Sequence, residues 1–170
     1  GFGYSATNHI GGQFTILPGA AFPQAKNEIE NFIPVARITD LLLKAGERFD
    51  FDGTSYEYPD TKIVYWAGGN PFHHHQDLNR LVKAWQKPDT IITNDWCCNS
   101  LAKRSDIVLP CTTPLERDDI MMTPRDPYVV SMSKLTDPFE KSKNDYEIFK
   151  GIAKVMGVEE KFTEGRSEEE

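Results

Sequence analysis

No apolar run in the 170 residues approaches the length of a membrane-crossing helix, and no signal-peptide pattern is present. Cysteine is scarce, with Cys97, Cys98 and Cys111 the only three. None forms a CxxC pair, so neither a zinc knuckle nor an iron–sulfur cluster is supported. Neighbouring cysteines rarely bridge, because the ring is strained. Three unpaired thiols in or near a core are therefore expected, and an odd count says little about redox compartment. Positive charge is also short. Lys and Arg total 19 against 26 Asp and Glu, for a net charge of −7. Nothing in that balance favours nucleic acid or an anionic membrane, and an anionic ligand would need local attraction against the global field. A GxGxxG fingerprint of ordinary NAD binding is missing. Hydrophobic residues, at 39%, are on the low side but sufficient for one core, and the length suits one domain.

What is present alternates. Gly1 to Pro23 is rich in glycine without any period and reads as coil that belongs against other parts of a larger protein. The chain starts without Met and stops on Ser167-Glu168-Glu169-Glu170, so both ends are expected to be cut; a missing signal or catalytic residue then argues against neither. Pro34 to Ala45 has the spacing of a helix, with Ile38, Leu41, Leu42 and Ala45 on one face and Gly46 to end it. Phe49 and Phe51, then Tyr56 and Tyr58, alternate around Asp52-Gly53 as a hairpin. Ile63-Val64-Tyr65-Trp66 is a continuous apolar run of the kind buried on both faces of a sheet. A helix follows over Gln76 to Lys87, with Leu78, Leu81, Val82 and Trp85 as its stripe. Thr90 to Thr93 and Ile107 to Leu109 are two further short buried strands, with a short helix over Asn99 to Arg104 between them. Thr112 to Pro138 is dominated by Pro, Asp and Thr, with one strand at Tyr128 to Met132. A last helix, capped by Asn144 or Asp145, presents Ile148, Phe149, Ile152, Val155 and Met156 and ends at Gly157. The order predicts an α/β fold: a Rossmann-like parallel sheet with flanking helices, plus a small β-hairpin and irregular ends. The expected division is an irregular segment over 1–32, the α/β domain over 33–158 and a truncated linker to a next domain over 159–170.

Ligands of open parallel sheets bind beyond the carboxyl ends of the strands. Gly68 to Gln76, Asn94 to Cys98 and Pro110 to Asp119 fall there. Gly68-Gly69 before a helix start lets backbone approach a pyrophosphate, or makes a plain tight turn. His73-His74-His75 are consecutive and point in different directions, so they do not converge on a metal; a helix cap, a phosphate contact or simple exposure suits them better. Asn94-Asp95 stands 25 residues after Gly69. An acid there suits a ribose hydroxyl pair or the N–H groups of a guanine edge, or is a polar strand end. Arg117 can pair with phosphate or with the acids beside it in Glu116 to Asp119. Asp145 reads as a helix cap. No Ser-His-Asp set, paired acid/base carboxylates or metal cage can be placed. The residues alone thus lead to an α/β domain that binds a nucleotide-like anion.

The text from Ile63 to Arg80, reading IVYWAGGNPFHHHQDLNR, resembles the signature run of the dimethyl sulfoxide, trimethylamine N-oxide and biotin sulfoxide reductases. So do Ser105-Asp106-Ile107-Val108-Leu109-Pro110, Thr112 to Arg117, Met121 to Pro124 and Asp126 to Met132. Ile33 to Ile38 and Asp50 to Gly53 extend the likeness upstream. The resemblance implies a molybdenum enzyme with two molybdopterin guanine dinucleotides, bis(molybdopterin guanine dinucleotide), each held by one of two related α/β domains. This chain is similar to the later of the two. Position by position, the family's pattern assigns Asn70, His74, Asn94, Asp95, Arg117 and Asp145 to the dinucleotide, beside Gly68 and Gly69. No metal ligand or catalytic residue matches; the family's molybdenum-binding serine lies in an earlier domain. Alone, the chain is expected neither to hold the cofactor tightly nor to reduce substrate. Its implied partners are the other domains of the same polypeptide, a small S-oxide or N-oxide, and an electron donor such as a cytochrome or reductase. A bacterial periplasmic setting is implied over a cytoplasmic one. The departure is Trp96-Cys97-Cys98-Asn99-Ser100-Leu101-Ala102-Lys103-Arg104, where close relatives carry an aromatic- and threonine-rich stretch. The alternative reading is a free-standing nucleotide-binding module without redox activity.

Overall fold

The computed structural model describes residues 32–122 and 129–167. The glycine-rich opening, Tyr128 at the start of the expected strand and the acidic end over 168–170 lie outside them.

Two layers of helix enclose a small parallel sheet. The helix expected from Pro34 is split: a 3-10 turn over Val35–Arg37 precedes helix α1, Ile38–Leu43. Strands β1 (Arg48–Phe51) and β2 (Thr54–Glu57) form the expected hairpin, Phe49 facing Tyr56. Asp52 and Gly53 both take positive φ, as the favoured two-residue hairpin turn requires. Strand β3, Ile63–Ala67, runs parallel to β4, Thr90–Asp95, which in turn runs parallel to β5, Ile107–Pro110. Between β3 and β4 come a one-turn helix α2, Pro71–His74, and helix α3, Leu78–Ala84. The single helix expected over Gln76 to Lys87 is therefore shorter. It starts behind Asp77, whose carboxylate accepts from the Arg80 N–H at 3.1 Å.

One face of the sheet carries the core. Leu42, Phe72, Leu81, Ala84, Trp85, Ile91 and Leu101 are buried together, with Val64 and Trp66 packed on them. They come from α1, α2, α3, the residue before the 3-10 turn Ala102–Arg104, and alternate residues of β3 and β4, as the period-2 geometry of a strand demands. Burial of a side chain such as Leu81, wholly removed from solvent, contributes about 1.5–3 kcal/mol. Asp40 of α1 and Arg80 of α3 form an ion pair across the two helices. On the opposite face Tyr65 meets Phe149 of helix α4, Asp145–Val155, ring centroids 5.3 Å apart.

The strands were expected to be buried on both faces. Only β4 is. Ile63 in β3 and Ile107 and Val108 in β5 stand exposed, because among the described residues each of these outer strands is laddered on one side only along most of its length. A strand absent from the sequence reading, β6 (Asp119–Met122), pairs antiparallel with β7 (Val129–Met132), so the Pro-rich stretch holds a second hairpin. Asn144, not Asp145, caps α4, accepting from the Glu147 N–H at 2.7 Å. Val155 and Met156, expected on the packed face of α4, are instead exposed at its C-terminal end. Inside the stretch expected as a linker, helix α5, Glu159–Thr163, returns against α4 with Phe162 stacked on Tyr146. Cys97 and Cys98 are exposed rather than near the core; Cys111 is buried.

Candidate functional site

The tips of β3, β4 and β5 end at one level, since Ala67 pairs with Asn94 and Asp95 with Pro110. The loops that follow diverge from those tips and leave a cleft of about 450 Å³ between them. All eight residues singled out in the sequence line it: Gly68, Gly69, Asn70, His74, Asn94, Asp95, Arg117 and Asp145.

Each arrives by a traceable route. Gly68 and Gly69 turn the chain off β3 with φ of +78° and +71°, a region costly for residues with a Cβ. A Cβ at either would meet no protein atom within 4 Å. Asn70 then caps α2, its Oδ1 accepting from the Phe72 N–H at 3.0 Å while its Nδ2 donates to Ser100 Oγ at 3.0 Å. His73 Nε2 lies 3.3 Å from the same Ser100 hydroxyl, which ties the first loop to the second. His74 is exposed on the cleft wall.

Asn94 and Asp95 are buried at the end of β4. Tyr65 Oη donates to Asn94 Oδ1 at 2.7 Å, and Asn94 Nδ2 donates to Asp145 Oδ1 at 2.7 Å. Burial holds the Tyr65 phenol above its ordinary value, against the pull of that bond to Asn94, so the donor stays protonated. The Asn94 amide orientation follows: its oxygen must face the phenol and its NH₂ the carboxylate. Asp95 accepts at both oxygens, from the Cys97 N–H at 3.3 Å and from Asn99 Nδ2 at 2.6 Å.

Asp145 reaches the cleft because the segment before α4 adds to the sheet beside the end of β5. Cys111 and Lys143 form a parallel bridge, with Thr112 N–H donating to the Lys143 carbonyl at 3.0 Å. A cap elsewhere would have carried its acid away from the site. Burial pushes the Cys111 thiol up to about 11, with the Asp145 and Asp95 carboxylates adding to the effect.

The sequence left Arg117 open between a phosphate contact and an ion pair. It lines the cleft and is also paired: Nε and Nη2 lie 3.0 and 2.8 Å from Asp119 Oδ2, and Nη1 donates to the Thr112 carbonyl at 2.7 Å. A guanidinium carries five N–H donors, so it can serve both. Glu116 braces that loop by accepting from the Thr113 N–H and hydroxyl and from the Phe139 N–H. Those bonds hold its carboxyl below the usual range. Sequence reasoning missed Tyr65, Asn99 and Ser100. The first was read only as strand, and the other two lie in the stretch that departs from the resemblance; no spacing signal marks them.

Chemically, the floor offers carboxylates that accept N–H groups, and the walls offer backbone, imidazole and guanidinium donors. No cluster of three or more His, Cys, Asp or Glu able to hold a metal occurs among the described residues. No helix among them is long and apolar enough to cross a membrane.

A family model described as molybdopterin oxidoreductase matches residues 3–155. The chain is 44% identical over 168 residues to the biotin sulfoxide reductase of Cereibacter sphaeroides, covering 99% of this chain and 23% of that protein. It is 45% identical over 172 residues to the trimethylamine-N-oxide reductase of Haemophilus influenzae, covering 98% and 21%. To the dimethyl sulfoxide/trimethylamine N-oxide reductase of Cereibacter sphaeroides it is 46% identical over 138 residues, covering 80% and 17%. Among solved structures, acetylene hydratase from Pelobacter acetylenicus shares the fold, with a TM-score of 0.55 at 22% identity over 61% of this chain and 14% of that one. The chain thus spans about a fifth of the length of these curated relatives. The free-standing module is not favoured by such matches. With the family model covering nearly the whole chain and relatives above two-fifths identity along it, this protein belongs to the molybdopterin oxidoreductase family.

Proposed function

We propose that this chain binds the guanine dinucleotide portion of a molybdopterin cofactor within a larger enzyme that reduces a small S-oxide or N-oxide. The observation that carries the reading is the single cleft in which the three strand tips bring together carboxylates, paired glycines and a guanidinium. The donor set fits the group. Asp95 and Asp145 offer carboxylate oxygens to the N–H edge of guanine. Gly68 and Gly69 leave backbone open to a pyrophosphate, and Arg117 and His74 add donors for its oxygens. The volume lies within the usual range of small-molecule sites. When bound, the molybdenum–pterin group supplies the oxygen-atom transfer chemistry.

The residues of this chain orient and retain. Tyr65 and Asn94 hold the Asp145 carboxylate in place, Asn99 and the Cys97 N–H hold that of Asp95, and Asn70 with Ser100 fixes the glycine turn. The rest of the same polypeptide provides the metal ligand, the substrate pocket and contact with an electron donor such as a cytochrome or reductase. A periplasmic setting accords with this reading.

The test is made on the full-length protein. Guanine nucleotide released by acid hydrolysis and molybdenum are both measured per polypeptide. Losing a bond to a charged acceptor is worth about tenfold in affinity or more, so Asp95→Ala and Asp145→Asn should each retain markedly less of both. Unchanged content in both variants would overturn the assignment. A wild-type protein that yields pterin but no guanine nucleotide would overturn the dinucleotide form.

A further inference from the structure

The loop from β4 to the 3-10 turn at Ala102–Arg104 carries two adjacent thiols that the reading above does not use. Cys97 and Cys98 are both exposed and unpaired, and Cys97 lines the cleft. The loop is clamped on either side of them. Asp95 holds the Cys97 N–H and the Asn99 side chain, and Asn99 Oδ1 in turn accepts from the Leu101 and Ala102 N–H groups at 2.9 and 3.0 Å. Between these anchors, the carbonyl of the peptide linking the two cysteines accepts from the Asn99 N–H at 2.9 Å.

We propose that Cys97 and Cys98 form a reversible dithiol/disulfide site that reacts with low-molecular-weight disulfides. A thiolate of one cysteine attacks the small disulfide and forms a mixed disulfide, releasing one small thiol. The neighbouring thiolate then attacks the protein sulfur, closing the Cys97–Cys98 bond and releasing the second small thiol. Two protein thiols are oxidised and one disulfide is reduced to two thiols, so atoms and electrons balance.

Adjacent Cα atoms sit about 3.8 Å apart across a trans peptide, below the usual span of a disulfide. The closed ring is therefore strained and easily reduced, which is the property of exchanging rather than structural bridges. The second step is intramolecular, since the resolving thiol stands on the adjacent residue, and that proximity offsets part of the ring strain. Cys111 cannot substitute for either partner, being buried with its thiol held protonated.

Closure distorts the Cys97–Cys98 peptide, so the bond from the Asn99 N–H to the Cys97 carbonyl opens. Asn99 is the group that holds one Asp95 oxygen, and the oxidised loop therefore grips Asp95 less firmly. This consequence for ligand retention rests on the guanine dinucleotide reading; the thiol chemistry does not.

The experiment treats full-length protein, isolated under reducing conditions, with oxidised glutathione. The proteolytic peptide carrying Trp96 to Lys103 is then weighed, and the release rate of bound cofactor is followed. The expected result is a peptide lighter by two hydrogens, restored by dithiothreitol, with cofactor release about fivefold faster, the scale of one lost hydrogen bond. Cys98→Ser should give only the glutathione adduct. A wild-type peptide that stays reduced, or that accumulates stable glutathione adducts, overturns the site. Ring closure with unchanged release overturns its link to Asp95, whereas failure of the Asp95→Ala test with ring closure intact strikes the dinucleotide reading alone.

Discussion

At the residue scale the cleft depends on pairs in which one member does the contacting and another sets its direction. Tyr65 is the clearest. It does not line the cleft itself, yet its hydroxyl satisfies the Asn94 oxygen while the Asn94 NH₂ faces the acceptor-only carboxylate of Asp145. Tyr65→Phe removes one oxygen and keeps the ring packed on Phe149. The buried Asn94 oxygen loses its partner, which costs about 1–3 kcal/mol. Urea denaturation of the variant should show that loss as a lower midpoint with an unchanged slope. Arg117 shows why a residue type alone does not settle a role. Spacing could not decide between phosphate and a neighbouring acid; Asp119 is paired with it because β6 brings that acid back beside the loop.

At the element scale the central strand and the helix packed on it carry the fold. Leu81 of α3 is fully buried, clustered with Leu42 of α1 and Ile91 of β4. Leu81→Ala should destabilise the chain by about 2–5 kcal/mol, the usual cost of a core leucine, read as a shift in thermal midpoint; a shift no larger than that of a surface leucine would count against this core. The elements with strong periodicity were legible: β3, β4 and β5, α3, α4 and the first hairpin all follow from apolar spacing and turn residues. What escaped had physical reasons. Asp119 to Met122 opens on an acid among prolines and threonines, and its strand character comes from pairing with Val129 to Met132, which no local pattern announces. The outer strands read as doubly buried because a continuous apolar run reports composition and not the number of neighbours. The candidate site was legible wherever strand-end geometry applied. Asp145 was legible only through the family resemblance, because its position depends on the bridge between Cys111 and Lys143, a contact distant in sequence.

At the scale of the whole molecule, charge and surface matter together. Arg80, by its hydrogen bond and its charge, holds the Asp40 carboxyl below the ordinary 3.8. A depressed folded value stabilises the fold at pH above that of the unfolded carboxyl, and the contribution is lost as pH falls through the folded value. Arg80→Met should therefore lower stability at neutral pH and flatten the acid limb of the stability curve below pH ~4. An acid limb identical to wild type would refute the link. Elsewhere, Leu135, Phe139, Val155 and Met156 stand well out into solvent, on the outer loops and the far end of α4. The relatives are between four and five times as long as this chain.

The strand β4 is laddered on both edges, and its last two residues form the bottom of the hollow. That bottom is rigid before any guest arrives. A guest therefore meets carboxylates already aimed, and the ordering that this chain itself must undergo falls mainly on exposed lining side chains such as His74 and Trp96. Preorganisation of this kind lets a modest number of polar contacts retain a large, charged molecule, even in a chain whose overall field repels it.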